Sequence, residues 1–330
     1  MGTTEALPKV SLLTIDAASE GQRLDNFLLR VCKGVPKTHV YRIIRSGEVR
    51  VNKGRAQVDT RLAVGDIVRV PPIRLTDNAA PEAAQPQSGP AHTPPREFPI
   101  LLEDDYLLAI DKPEGVAVHG GSGVSFGVIE QLRRARRVGE PGGAKFLELV
   151  HRLDRDTSGI LLIAKRRSAL VNLQAQFKAR ETGKTYLALV KGAWPAKLKV
   201  IDLPLHKYLV HGGEEDGERR VKVVAKDDPD GMRSITLVKV AKLHTLPNGE
   251  QASLLEVTIK TGRTHQIRVH LAHHGHPILG DDKYGDFELN KALVKAGMKR
   301  MYLHAWKLSF HHPSTQQEVS LLSESPFEKR

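Results

Sequence analysis

The chain has 330 residues, of which 40% are hydrophobic and 27% are charged, a composition typical of a soluble globular protein. This length predicts two domains, because a single core seldom grows beyond roughly 250 to 300 residues. A formal net charge of +12 indicates an anionic partner, which charge alone leaves open among RNA, DNA and acidic lipid. The lack of any run of about 18 apolar residues argues against a membrane span. An N-terminus without a basic and apolar leader predicts a cytoplasmic location.

The first segment, residues 20–74, is strongly basic, with 12 Lys or Arg against 5 Asp or Glu. Apolar spacing predicts one helix around Leu24 to Val31 and a second from a Thr38 cap to Gly47. Alternating residues at 48–52 and 66–70 predict strands. Arg42 and Arg45 lie opposite the apolar stripe of the second helix, where they could meet phosphates or simply form a solvated basic face.

This helix pair, followed by "SGEVRVNKG" and "VGDIVRV", resembles the S-four type RNA-binding domain, which is named after a ribosomal protein. The resemblance implies RNA contacts by four basic residues of the segment: Lys37, Arg42, Arg45 and Lys53. We expect an N-terminal tail at 1–19, this domain at 20–74, a Pro- and Ala-rich flexible linker at 75–96, a catalytic domain at 97–323 and a C-terminal tail at 324–330.

Beyond the linker, residues 106–110, 159–164, 186–190 and 254–260 read as strands, and apolar residues near 170–177 predict a helix. The mixture predicts an α+β fold. Residues 159–164 are apolar throughout, which predicts a central strand covered on both faces. Residues 208–231 are polar and rich in glycine, and predict an insertion or mobile hairpin whose lysines could touch RNA.

The segment "HRLDRDTSG" at 151–159 places two carboxylates between arginines, directly before the buried strand. A neighbouring arginine favours the ionised form of a carboxylate, which a nucleophile or general base requires. Asp156 could equally cap a turn, and Asp-Arg pairs are common structural ties. Composition and spacing therefore do not choose between Asp154 and Asp156.

Three long motifs occur in order: "HRLDRDTSG", "KTYLALV" at 184–190 and "TGRTHQIRVH" at 261–270. They resemble the motifs of the pseudouridine synthases of the large-subunit rRNA C and D type, and "DKPEGVAVHG", "GHPILGDDKYG" and "YLHAWKLSFHHP" extend the match. The resemblance implies an α+β pseudouridine synthase fold with a mixed, largely antiparallel sheet. The wording of "HRLDRDTSG" and "LVNLQAQF" leans towards the C type.

The resemblance also implies residue roles. Asp154 would be the catalytic carboxylate, Tyr186 would pack against a flipped uracil, and Arg268 would pair with Asp154. Arg152 would enter the RNA stack. Apart from the resemblance, the strand-to-helix turn at Arg263 makes that residue a second choice for RNA backbone contact, with Thr264 capping the following helix, and Arg155 is a further RNA-binding candidate. Without the resemblance, Tyr186 would be an ordinary strand aromatic and Arg268 an equally plausible surface cation.

The implied partner is 23S rRNA or a large-subunit assembly intermediate, acted on by a monomer without a cofactor or small-molecule partner. Whether the carboxylate attacks the sugar or removes its 2′ proton stays open, as do the target uridines. A noncatalytic RNA-binding assembly factor that keeps the fold is the alternative, and a membrane-associated protein is remote. Histidines at 265–276 invite a zinc interpretation, but no HExxH pattern, carboxylate or thiolate accompanies them, so no metal is predicted.

Overall fold

The computed structural model describes residues 10–16, 19–32, 35–73, 93–120, 126–210 and 218–327. The chain divides into two compact units, residues 1–87 and residues 88–330. The predicted linker at 75–96 lies outside the described residues up to residue 92. Within the described ranges, no helix combines the length and the apolar character that crossing a bilayer requires.

The N-terminal unit consists of two helices and a four-stranded sheet around one apolar core. The helices are α1 (Leu24–Val31) and α2 (Lys37–Arg45), as the apolar spacing predicts. The sheet has the order β1-β4-β2-β3, with bounds β1 Ser11–Thr14, β2 Arg50–Val51, β3 Gly54–Arg55 and β4 Ile67–Val70. Burial of one stripe of each helix leaves the opposite, polar face to solvent.

Three details of this unit differ from the sequence predictions. Strand β1 lies inside the predicted N-terminal tail and pairs with β4; its side chains are mostly exposed, so no apolar pattern marked it. Helix α2 begins at Lys37 after Pro36, and Thr38 is not its cap, since proline presets an extended entry and needs no amide partner there. Val31 ends α1 with 41% of its surface exposed and lies outside the core.

The larger unit is built on a ten-stranded mixed sheet, so the predicted α+β class and sheet type are confirmed. The strands are β5 Ile100–Glu103, β6 Leu107–Lys112, β7 Glu148–Leu149, β8 Ser158–Ala164, β9 Gly183–Lys191, β10 Val200–Asp202, β13 Ile235–Thr245, β14 Gln251–Ile259, β15 Leu303–His311 and β16 Glu318–Leu322. Their main order is β10-β13-β14-β9-β15-β8-β6-β5, with β7 added to β8 and β16 added to β15. Only β15 and β8 run parallel among the described pairs.

Four helices flank this sheet: α3 Val128–Ala135, α4 Arg167–Ala179, α5 Gln266–His273 and α6 Phe287–Lys295. Every residue of β8 is buried, as its continuous apolar sequence predicts for a central strand. The predicted C-terminal tail contains Phe327, whose ring lies 5.3 Å from that of Tyr302. Burial of this aromatic ring against the sheet therefore extends the packed unit beyond residue 323.

A separate hairpin, β11 (Leu205–Val210) and β12 (Glu218–Val223), forms the insertion predicted at 208–231. Residues 211–217 of the predicted segment lie outside the described part of the chain. Val221 of β12 packs against Val269 of α5. The hairpin is thereby attached to the helix that carries Arg268.

Candidate active site

The loop that carries Asp154 connects β7 to β8 and is fixed at both ends. At its start, the His151 ring stacks on Phe177 at 4.8 Å, and its Nε2 accepts the Leu162 N–H at 3.1 Å. Burial lowers the pKa of His151 to about 4, so this histidine is a neutral anchor. At its end, Gly159 has φ +108, and a Cβ there would lie 2.3 Å from the Ala305 carbonyl oxygen. Only glycine permits this close parallel pairing of β8 with β15.

A buried lysine, Lys112, also contacts the loop that carries Asp154. The Nζ of Lys112, at the end of β6, donates hydrogen bonds to the carbonyls of Pro113, Val116 and Arg155 at 2.9, 2.8 and 2.9 Å. Burial lowers the pKa of Lys112 to about 8, although the Asp156 and Asp154 carboxylates oppose that shift. Sequence analysis gave this lysine no role; its signal was the pair of charged residues, Asp111 and Lys112, that ends a strand whose other residues are apolar.

Five of the predicted site residues line one cleft with a volume of about 140 Å³: Arg152, Asp154, Tyr186, Arg263 and Arg268. That volume is some ten times the ~10–15 Å³ that admits one water molecule, so a planar ring can enter. Apolar side chains complete the walls, namely Leu153, Ile259, Ile267 and Leu303. Arg155 lines an adjoining polar cleft of about 510 Å³. The remaining predicted residues, Lys37, Arg42, Arg45 and Lys53, are exposed on the N-terminal unit.

Arg268 is the most heavily paired cation of the cleft. Its Nη1 lies 3.3 Å from Asp154 Oδ2, which is the ion pair that the resemblance implies. Its Nε and Nη2 donate to both oxygens of Asp281 at 2.7 Å, and Nη2 also lies 3.0 Å from Asp282. The side chain is 3% exposed, so the surface-cation interpretation is wrong. Hydrogen bonds to Asp281 raise the pKa of Arg268 although burial opposes them.

Asp281 is the partner that sequence analysis missed. Its carboxylate is fully buried and accepts the Lys283 and Tyr284 N–H groups at 2.8 and 2.9 Å. Burial alone would raise the pKa of Asp281, but the bonds from Arg268 and from the backbone hold it below its usual range. The residue lies within the matched string "GHPILGDDKYG", which carried the resemblance without pointing to a role.

The two carboxylates of the loop have different surroundings. Asp154 faces Arg268 and the cleft that contains Tyr186. Asp156 accepts the Arg155 Nε–H at 3.0 Å and lines the adjoining cleft instead. The geometry therefore offers a distinction that composition and spacing leave open, because only Asp154 is placed between the buried arginine and the aromatic wall.

Tyr186 supplies that wall from β9, opposite Ala305 of β15 and Val257 of β14. It packs against the apolar clusters on both sides of it. Burial, with a smaller contribution from Asp154, raises the pKa of Tyr186 far above its usual range. The phenol is therefore neutral at physiological pH, and an uncharged ring lines the cleft.

The start of α5 differs from the prediction of a Thr264 cap. The helix begins at Gln266, and His265 precedes it in the left-handed conformation without a side-chain cap bond. The Gln266 side chain instead fixes the turn before the helix, since its Oε1 accepts the Arg263 N–H at 3.1 Å and the Thr261 Oγ1–H at 2.8 Å.

The histidine run is held by protein groups. His270 contacts Thr236 Oγ1 through Nδ1 at 2.8 Å and the Leu203 carbonyl through Nε2 at 3.0 Å. The His274 ring packs edge-on against Trp194. In the described part of the chain, the side chains spaced closely enough for a cation are His206, Asp228 and Asp230, outside this run.

Comparison with known proteins gives concordant results. A profile of RNA pseudouridylate synthases matches residues 106–273, and an S4 domain profile matches residues 22–68. The ribosomal large subunit pseudouridine synthase C of Yersinia pestis is 48% identical over 98% of this chain and 94% of its own length. Its namesake from Haemophilus influenzae is 48% identical over 94% and 90%. The solved structure of human RNA pseudouridylate synthase domain containing 1 is 25% identical, with a TM-score of 0.55 over 70% of this chain and 84% of that one.

The mixed sheet, the cleft between Asp154 and Tyr186, and the S4 domain together define an RNA-modifying enzyme. Two pseudouridine synthases are 48% identical to this chain over nearly its whole length, which narrows the class of RNA-modifying enzyme. The chain belongs to the RNA pseudouridylate synthase family.

Proposed function

We propose that this protein converts uridines of large-subunit rRNA to pseudouridine, with Asp154 as its catalytic carboxylate. The observation that carries the proposal is the convergence of Asp154, Arg268 and Tyr186 on one cleft. The names of the relatives, ribosomal large subunit pseudouridine synthase C, support the substrate class. The same names support a C-type target set over a D-type one.

The reaction breaks the bond between uracil nitrogen 1 and ribose carbon 1′, and forms a bond from carbon 5 of the base to the same sugar carbon. Carbon 5 loses a proton and nitrogen 1 gains one, so substrate and product are isomers and no cofactor is consumed. Asp154 acts either by attack on carbon 1′ or by removal of the 2′ proton. Both routes need an ionised carboxylate, which Arg268 orients at 3.3 Å.

A uridine inside a helix must leave the base stack before this chemistry can occur. Tyr186, with the apolar side chains of Ile259 and Leu303, forms a wall on which the extruded base packs. Arg152 is exposed beside Asp154, where it fills the space that the base vacates. The cleft retains the detached uracil while it rotates.

Basic residues on both units hold the RNA backbone. Exposed Arg155 and half-buried Arg263 act at the clefts, and exposed Lys37, Arg42, Arg45 and Lys53 act on the N-terminal unit, through phosphate contacts that carry no sequence information. The substrate is 23S rRNA or a large-subunit assembly intermediate, and the place of action is the cytoplasm. A monomer is the expected active form.

The test is pseudouridine mapping on unmodified 23S rRNA and on isolated large subunits, without added metal or nucleotide. Wild type should create new pseudouridines, and Asp154→Asn should lose at least ~10³-fold in rate, as enzymes do when a reacting group is removed. Asp156→Asn is the matched control, and it should keep the activity within about tenfold. Tight RNA binding without any new pseudouridine would favour the noncatalytic assembly factor instead.

A further inference from the structure

His265 is held in an unusual conformation beside the carboxylate. Its φ of 51 and ψ of 19 place it in the left-handed region, which non-glycine residues seldom adopt, although asparagine, aspartate and histidine are the most frequent among them. Its imidazole is 13% exposed and lines the cleft with Asp154 and Arg268. Backbone strain of this kind persists where the surrounding structure enforces it, and it is concentrated at functional sites.

The contacts of the His265 ring determine which of its two nitrogens donates a hydrogen bond. Its Nδ1 lies 2.8 Å from the Tyr284 Oη, and the same Oη accepts the Val221 N–H from the hairpin at 3.0 Å. Its Nε2 lies 3.8 Å from Asp154 Oδ2. An ionised carboxylate only accepts hydrogen bonds, so the ring presents its N–H at Nε2 and keeps the Nδ1 lone pair for the phenol proton. At 3.8 Å the two atoms are within ion-pair range but beyond hydrogen-bond distance, and catalytic contacts of this kind often shorten only when the substrate binds.

The charges of the site explain why a neutral donor is useful there. Burial lowers the pKa of His265, with Asp154 opposing that shift, so the ring is uncharged at neutral pH. Arg268 already shares one positive charge among Asp154, Asp281 and Asp282. A neutral N–H orients the carboxylate without cancelling the negative charge that its chemistry requires.

We propose that Tyr284 and His265 form a hydrogen-bond relay that positions Asp154, running from the Val221 amide through the phenol and the imidazole to the carboxylate. His265 and Tyr284 are positioning residues, and their role rests on the proposed function of Asp154. The relay gives Asp154 a second orienting contact on top of Arg268. It also links the position of the β11–β12 hairpin to the position of the reacting carboxylate.

Two substitutions of His265 distinguish its contact with Asp154 from its contact with Tyr284. The amide nitrogen of His265→Gln falls near the Nε2 position and restores a donor towards Asp154. The side chain of His265→Asn reaches only the Nδ1 position, while asparagine tolerates the left-handed backbone better. We expect His265→Asn to lower the single-turnover rate by ~10- to 100-fold, the usual cost of losing an orienting partner, with KM within about threefold. His265→Gln should recover most of that loss.

Tyr284→Phe tests the upstream half of the relay. Alone it should lower the single-turnover rate by about tenfold, and combined with His265→Asn it should cause no further loss, because both act through one contact. Losses that multiply in the double variant, or that appear in KM alone, would overturn the relay.

A measurement independent of activity keeps the two proposals apart. In protein labelled with ¹⁵N-histidine, the resonance that disappears in His265→Gln should report a neutral ring protonated at Nε2, and Tyr284→Phe should mix its tautomers. A ring protonated at Nδ1, or a charged ring at neutral pH, refutes the relay. Wild type that forms no pseudouridine refutes the proposed function, and the tautomer measurement still decides the relay.

Discussion

Two sets of arginines in this molecule have the same chemistry and opposite surroundings. Arg268 is 3% exposed and faces three carboxylates, whereas Arg42 on α2 is 63% exposed, with one carboxylate at 4.0 Å. The buried guanidinium of Arg268 has lost its hydration and depends on its carboxylate partners, so the hydrogen bonds to them fix its position. The exposed one keeps its hydration and can follow a phosphate. Burial therefore suits Arg268 to fixing the geometry of the site, and exposure suits the α2 face to the RNA contacts that we propose for it.

The largest effect should come from the missed partner, Asp281. Asp281→Ala leaves Arg268 buried with its main partner removed, and breaking such a pair costs roughly 3–5 kcal/mol of unfolding free energy. Chemical denaturation measures that loss, and the synthase assay should show that activity falls with it. Asp282→Ala is the matched control: its carboxylate is 52% exposed, and it should cost far less. Equal losses in both variants would mean that burial does not distinguish the two carboxylates.

A smaller and different effect should follow from the exposed face of α2. Replacement of Lys37, Arg42 and Arg45 by glutamine should weaken rRNA binding and leave the single-turnover rate at saturating RNA unchanged. The slope of log affinity against log salt should flatten by up to ~2–3, since each lost phosphate contact removes about 0.7 to 0.9. Binding titrations at several salt concentrations measure this slope. An unchanged slope would show that this face does not contact phosphates.

The smallest effect concerns another buried cation, Lys112. Its pKa of about 8 lies below the ordinary value of 10.5, so between these values the unfolded chain binds more protons than the folded protein. Unfolding free energy therefore rises with pH across this window. The stability of wild type relative to Lys112→Met should increase when denaturation is measured at pH 9.5 rather than pH 7.5. A constant difference would show that Lys112 titrates as an exposed lysine does.

The sequence predicts the exposed features of this molecule better than the buried polar ones. Arg42 and Arg45 were identified because α2 is amphipathic, so its pattern separates the core from solvent. All six residues from Gln266 to Leu271 in α5 are buried, and no such pattern could reveal how Arg268 is used. Its partner Asp281 lies in a turn 13 residues further on. Such contacts depend on tertiary geometry that local periodicity does not encode.

The fold class was easier to predict from the sequence, because it depends on local apolar patterns that recur along the chain. The apolar run of β8 and the alternation of β14 predicted their places in the sheet. The choice of Asp154 over Asp156 came from resemblance to a family, and the structure adds a physical distinction in the form of Arg268. Thr38 and Thr264 failed as caps because Pro36 and His265 occupy the N-cap positions of α2 and α5.

The position of β15 bears on when this protein becomes competent during its own synthesis. Strand β15 lies between β9 and β8, yet the ribosome translates it after both of them. Until Leu303 and its neighbours emerge, the nascent chain has a gap in the middle of the sheet and two unpaired strand edges. Because the same strand supplies Leu303 to the cleft, the pocket is completed only late in translation. The N-terminal unit has no such dependence and can fold first.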